Sequence, residues 1–281
     1  MRERPPIADP LPRPVVDTHC HLDVVDRQLG DGPGPDGALA LARDAGITRV
    51  VQVGCDVASS AWAADFAGPR DDVVAAVALH PNDVPRIVER EGHAGLEAAF
   101  DAIEALAVRP RVRAVGETGL DYYRTRDEDA RALQHDSFRR HIDIAKRHDR
   151  TLVIHDRDAH ADILRILDEE GAPDRVVFHC FSGDAVMARH CADRGWLCSF
   201  AGVVTYKSAE GLREALVALP REALLVETDA PYLTPVPHRG AVNASYLIPH
   251  TVRAMADVRA QPLDQLCDDL WSNSERAFGP L

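Results

Sequence analysis

The chain has 281 residues, 46% hydrophobic and 27% charged, the composition of a globular protein able to bury a large core. Asp and Glu number 45 against 32 Lys and Arg, for a net charge of −13, which excludes a broadly basic nucleic-acid platform but not a local anion site. No apolar run reaches the ~20 residues of a membrane span, and the opening "MRERPPIADPLPRP" lacks the apolar stretch of a signal peptide.

Residues 1–13 read as a loose leader before one domain over 14–281. The first strand lies in "RPVVDTHCH" from Arg13. "LGDGPGPDG", Leu29 to Gly37, reads as a βα loop, and a helical pattern follows over about 36–46. Further strands lie in "RVVQVGC" from Arg49, "VVAAVALHP" from Val73, "VRAVGETGLDY" from Val112 and "TLVIHD" from Thr151. The last three lie in "RVVFHCFSG" from Arg175, "WLCSFAGVV" from Trp196 and "ALLVETDAP" from Ala223. Helical patterns fill the gaps at 57–67, 94–107, 128–149, 159–170, 184–194 and 208–218, with two more at 243–259 and 262–277. Strand–helix repeated eight times predicts a (β/α)₈ TIM barrel, and the near-continuous apolar strands fit a sheet covered on both faces. A doubly wound open sheet is the runner-up.

The strands share a peculiarity at their ends. The first ends in His19 and His21, the third in His80, the fifth in His155 and the sixth in His179, while the fourth carries Glu117 and the eighth leads into Asp229. In a barrel, strand C-termini converge on the face where active sites sit. Alternation along a strand puts His19 and His21 on one side and Cys20 on the other. His19, His21, Glu117, His155, His179 and Asp229 exceed what one tetrahedral ion with an open position needs, and they suit two divalent ions sharing a carboxylate. Four imidazoles favour Zn, Mn, Fe or Ni over Mg on ligand softness. His93, His135, His141, His148, His160, His190 and His250 fall in helical or loop segments and read as solvated or capping residues.

The segments "DTHCHLD", "GETGLDY", "VIHDRDA", "FHCFSG", "VVTYKSAEGLRE" and "VETDAPYLTPVPHRG" resemble the TatD-like metal-dependent deoxyribonucleases, over about Val16 to Trp271. The resemblance implies a (β/α)₈ barrel of the amidohydrolase type and hydrolysis of DNA, often from the 3′ end of single strands. It implies one ion held by His19, His21 and Asp229, and a second held by His155 and His179, with Glu117 bridging. The family is often assayed with Mg. This chain departs from the family pattern at Asn82, where His is frequent, and at "AVNASY" after "HRG", where an Asn-Glu-Pro or Asn-Gln-Pro segment is frequent.

The chemistry expected of this set is activation of water by bound metal and in-line displacement at phosphorus. Asp229 is the expected general base, with Glu117 beside it in the catalytic set. Candidate substrate-binding residues are His80, Arg157 two places beyond His155, Lys207, one of only two lysines, and His238 with Arg239 in the loop after the last strand. Tyr122, Tyr123 and Arg124 are placed to stack on a base or meet a phosphate. Asp121 and Asp23 read equally as orienting a histidine or capping a helix. The same site could instead open a small ester, lactone or aminoacyl linkage, which the acidic net charge favours slightly. None of the six cysteines forms a C-x-x-C pair, which suggests small buried hydrophobes in a reducing cytoplasm. Single-stranded DNA is the expected partner, with no membrane and no protein partner legible.

Overall fold

A computed structural model describes residues 4–29 and 32–280. The strands are β1 (Val15–Cys20), β2 (Ile47–Val53), β3 (Val73–Val77), β4 (Val112–Asp121), β5 (Thr151–Arg157), β6 (Val176–Phe178), β7 (Leu197–Phe200) and β8 (Leu224–Val226). Their order in the sheet is their order in the chain, and the pairs β1–β2, β3–β4, β4–β5, β5–β6 and β7–β8 are parallel. Parallel strands in chain order with a helix in every gap make the (β/α)₈ fold, as the alternation predicted. The residues group into two compact units, Met1–Gln52 with Cys180–Leu281, and Val53–His179.

In the first unit β1 is buried along its whole length, so its polar residues Asp17, Thr18 and His19 need partners inside the fold. Its end is tied to the segment after β8: His21 N–H donates to the Ala230 carbonyl and Asp229 N–H to the His19 carbonyl, each at 2.9 Å. The described part of the leader makes contacts with the rest of the first unit. Leu11 is buried and its N–H donates to the Ala45 carbonyl, while Arg253 donates to the carbonyls of Asp9 and Pro10. Two helices stand between β1 and β2, α1 (Leu22–Leu29) and α2 (Gly34–Asp44), where a loop was expected through Gly37. Proline in the first turn of α2 supplies a pre-set φ exactly where no amide partner is needed; Gly30 and Asp31 lie outside the described residues.

In the second unit the helix after β3, α4, runs Val84–Ala107 and so starts ten residues before the expected 94. Gly92, at φ 72 and ψ −178, breaks it into two pieces, and only the second shows a clean apolar period in the sequence. The helix α5 (Glu128–Arg147) starts where the Asp127 carboxylate accepts the Ala130 N–H.

His141 on α5 was expected to be solvated or capping, and it is fully buried. Its Nε2 accepts the Leu79 N–H at 3.2 Å, and its Nδ1 lies 2.9 Å from both the Ser137 carbonyl and the Thr118 hydroxyl. Burial pushes its pKa down to about 3, against the bond to Ser137. The unfolded chain takes up this proton near pH ~6.5, whereas the folded one resists it, so stability falls as pH drops from there toward 3. Urea unfolding across that range is expected to show the loss in the wild type and a flatter profile in His141→Gln. Identical profiles would remove His141 from the account.

Candidate metal centre

In the first unit, β1 presents His19 and His21 with ring centroids 5.1 Å apart at 73°. Their Nε2 atoms lie 3.9 and 3.5 Å from Asp229 Oδ1. These separations exceed a good hydrogen bond and approach the about 3.4 Å that two donors make across one tetrahedral ion. Cys20 points the other way, as the alternation required, with its thiol donating to the Val51 carbonyl.

Asp229 sits at φ 53, in the left-handed region that side chains rarely enter, so its neighbours must hold it there. Asp17 anchors that neighbourhood. Its carboxylate accepts the Thr228 N–H and hydroxyl at 2.9 and 2.6 Å, the Ser245 hydroxyl at 2.7 Å and the His19 N–H at 3.3 Å. Burial pushes Asp17 up to about 6 even against these bonds from Thr228 and Ser245. One buried carboxylate thus fixes the backbone of both His19 and the residue before Asp229.

In the second unit, three imidazoles converge on Glu117 Oε1: His155 Nδ1 at 2.6 Å, His179 Nε2 at 3.0 Å and His80 Nε2 at 3.4 Å. Burial raises the Glu117 carboxyl, but the fields of His179 and His80 and the bond to His155 outweigh it and hold it well below the usual range. The register pairs Gly119 on β4 with His155 on β5, and a Cβ at Gly119 would collide with the His155 carbonyl. Glycine there lets β5 close in and brings His155 to Glu117.

Asp121, left open between two roles, faces a histidine and caps no helix, since Asp127 is the N-cap of α5. Oδ1 accepts the Arg124 N–H at 2.8 Å, closing the turn after β4, while Oδ2 lies 3.3 Å from His155 Nε2 and accepts from Asn82 Nδ2 at 2.8 Å. Burial opposes its charge, but the bonds to His155, Arg124 and Asn82 hold the carboxyl well below the usual range. Burial likewise lowers His155, yet Asp121 and Glu117 together bring it up to about 8. Asp121→Asn is expected to weaken binding of an ion at this half-site about 10–100-fold, read by calorimetric metal titration. Unchanged affinity would leave Asp121 as a turn residue. Asp23, in the first turn of α1, accepts from Gln52 Nε2 at 3.1 Å.

The remaining candidates lie on loops. Arg157 stacks 4.1 Å over the ring of Tyr123, which is 55% exposed and so offers its other face. Arg239 stacks 4.4 Å over Tyr206, the neighbour of exposed Lys207. His238 packs against His250, ring centroids 5.2 Å apart. Tyr122 departs from expectation: its hydroxyl donates to Asp162 and meets His135 Nε2, and Arg131 covers its ring, so it holds α6 (His160–Glu170) rather than a base. Three polar residues escaped the sequence reading: Asp17, Glu227, which is fully buried and accepts the Cys180 N–H, and Cys55, whose thiol lies 3.9 Å from Glu117 Oε2. Asp17 and Glu227 carried a signal, an acid inside an apolar strand run, which rarely stays buried without a structural task.

Imidazole and carboxylate donors drawn together in each unit suit divalent ions of borderline softness. His80, Glu117 and His155 place one donor atom each within 4.8 Å of one another.

The family model for the TatD related DNases matches residues 16–279. The chain is 44% identical over 268 residues to an uncharacterized metal-dependent hydrolase TatD of Mycobacterium tuberculosis, covering 94% of this chain and 98% of that one. It is 37% identical over 268 residues to the uncharacterized metal-dependent hydrolase YcfH of Escherichia coli K12, covering 94% and 95%. The crystal structure of YJJV, a TatD homolog from Escherichia coli K12, superposes with a TM-score of 0.81 at 25% identity, over 94% of this chain and 97% of that one. With a match spanning nearly its whole length and a histidine–carboxylate set in each unit, the chain belongs to the TatD-related DNase family and is a metal-dependent hydrolase.

Proposed function

We propose that this enzyme hydrolyses phosphodiester bonds in DNA, removing nucleotides from the 3′ end of single strands with two divalent ions. The first ion falls to His19, His21 and Asp229, the second to His155 and His179, and Glu117 is shared. The observation that carries this reading is the pairing of imidazoles with a carboxylate in each unit, at 3.5 and 3.9 Å around Asp229 and at 2.6 and 3.0 Å around Glu117. Bound divalent ions, Mg, Mn or Zn, supply a lowered water pKa and a clamp on phosphoryl oxygens. Asp229 takes the proton from the attacking water. Arg157, Lys207, His238 and Arg239 meet the phosphates, and the exposed face of Tyr123 stacks on a base. The enzyme works in the cytoplasm, where its six thiols stay reduced; no described helix is long and apolar enough to cross a membrane.

The test uses single-stranded oligonucleotides labelled at either end. Shortening from the 3′ end with Mg or Mn, abolished by a chelator, is the expected result. Strong cleavage of a carboxylic ester, lactone or aminoacyl linkage with none of DNA would instead support the second reading. The net charge of −13 favours that reading, since it repels long polyanions.

A further inference from the structure

His80, whose Nε2 lies 3.4 Å from Glu117 Oε1, is the imidazole beside Glu117 that neither proposed ion uses. Its proximity to Glu117 and His155 would let these three hold an ion. The other nitrogen of the ring decides against that. The backbone N–H of Asn82 donates to His80 Nδ1 at 3.1 Å. A nitrogen accepting this bond carries no proton, so the neutral ring carries its proton on Nε2. Coordination needs a lone pair, and here Nε2 has none to give while Nδ1 is already engaged.

His155 has the opposite arrangement. Its Nε2 faces an acceptor, Asp121 Oδ2, which leaves Nδ1, 2.6 Å from Glu117 Oε1, to an ion. The turn that imposes the difference is pinned on several sides. His80 N–H donates to the Cys55 carbonyl at 2.7 Å, and Asp83 N–H donates to the His80 carbonyl at 2.8 Å. The Asn82 side chain donates to Asp121 and accepts from the Thr125 hydroxyl at 3.1 Å. Asn82 therefore serves both rings, His80 through its backbone and His155 through Asp121.

We infer that His80 is a catalytic hydrogen-bond donor rather than a metal ligand, its Nε2–H aimed at a non-bridging oxygen of the scissile phosphodiester. This rests on the phosphodiester reading above. No bond to His80 forms or breaks; its N–H stays in place and its hydrogen bond strengthens as charge gathers on the phosphoryl oxygens. A donor fixed by a backbone amide needs no reorganisation at the moment of reaction.

The test uses the full-length, Mg-loaded protein. His80→Ala is expected to bind as many ions per chain as the wild type while kcat on single-stranded DNA falls about 10²–10³-fold. His80→Gln, which restores an N–H, recovers part of that loss. Long-range proton–nitrogen spectra of the histidine rings, with His80 assigned from its disappearance in His80→Gln, are expected to show the proton on Nε2. Loss of an ion in His80→Ala, a proton on Nδ1, or a kcat close to the wild-type value would each overturn the inference. If the wild type loads metal yet cleaves only carboxylic esters, the phosphodiester reading falls, and the spectra and ion count still decide between donor and ligand.

Discussion

Asp229→Asn is expected to keep most of the bound metal and to lose about 10²–10⁴-fold in kcat, the usual size of a general-base contribution. The amide oxygen can still face His19 and His21, whose Nε2 atoms lie 3.9 and 3.5 Å from Oδ1. It cannot accept a proton. The backbone at φ 53 is held from outside the side chain, by the Asp229 N–H to His19 and by the bonds of Thr228 to Asp17, so the substitution leaves the turn intact. His179→Ala should behave differently. It removes one of two imidazoles proposed for the second ion, so occupancy falls first and excess metal partly restores activity. If metal restores both variants alike, Asp229 is a ligand and not the base.

Glu117→Gln is expected to be more severe in metal binding. Its Oε1 is the point on which His155, His179 and His80 converge, at 2.6, 3.0 and 3.4 Å, in a site where the side chain is only 6% exposed. An amide there removes the one anion those rings share and offers an N–H where acceptors are needed. Binding of both ions should weaken, and activity should drop by about 10³-fold or more, since metal catalysis is worth several kcal/mol. Elemental analysis after dialysis checks the first effect and a DNA assay at saturating metal the second. An ion count equal to that of the wild type would end the shared-carboxylate assignment.

The histidines and acids proposed for the site stood out in the sequence because each lies in or just after an apolar strand run, and the eight-fold alternation says that strand ends come together. Positions with a weaker local signal were misplaced. The early half of α4, "VPRIVEREG", is dense in charge and ends in a glycine, so its period is hidden, and α1 follows β1 without a linking loop. His141 looked like a surface histidine because a helical sequence does not state which face is covered; its burial follows from the packing of α5 on β4.

By itself the sequence determined the fold class and the family and singled out the residues proposed to supply imidazole and carboxylate donors, since these depend on local periodicity and on residue chemistry. Only the tertiary structure decided what each donor atom faces. Asp17 binds Thr228 across 211 positions and Ser245 across 228, and Asn82 reaches Asp121 across 39. Which ring nitrogen of His80 or His155 carries a proton is set by such partners, and hydrogen bonds act over about 3 Å of space with no regard for distance along the chain.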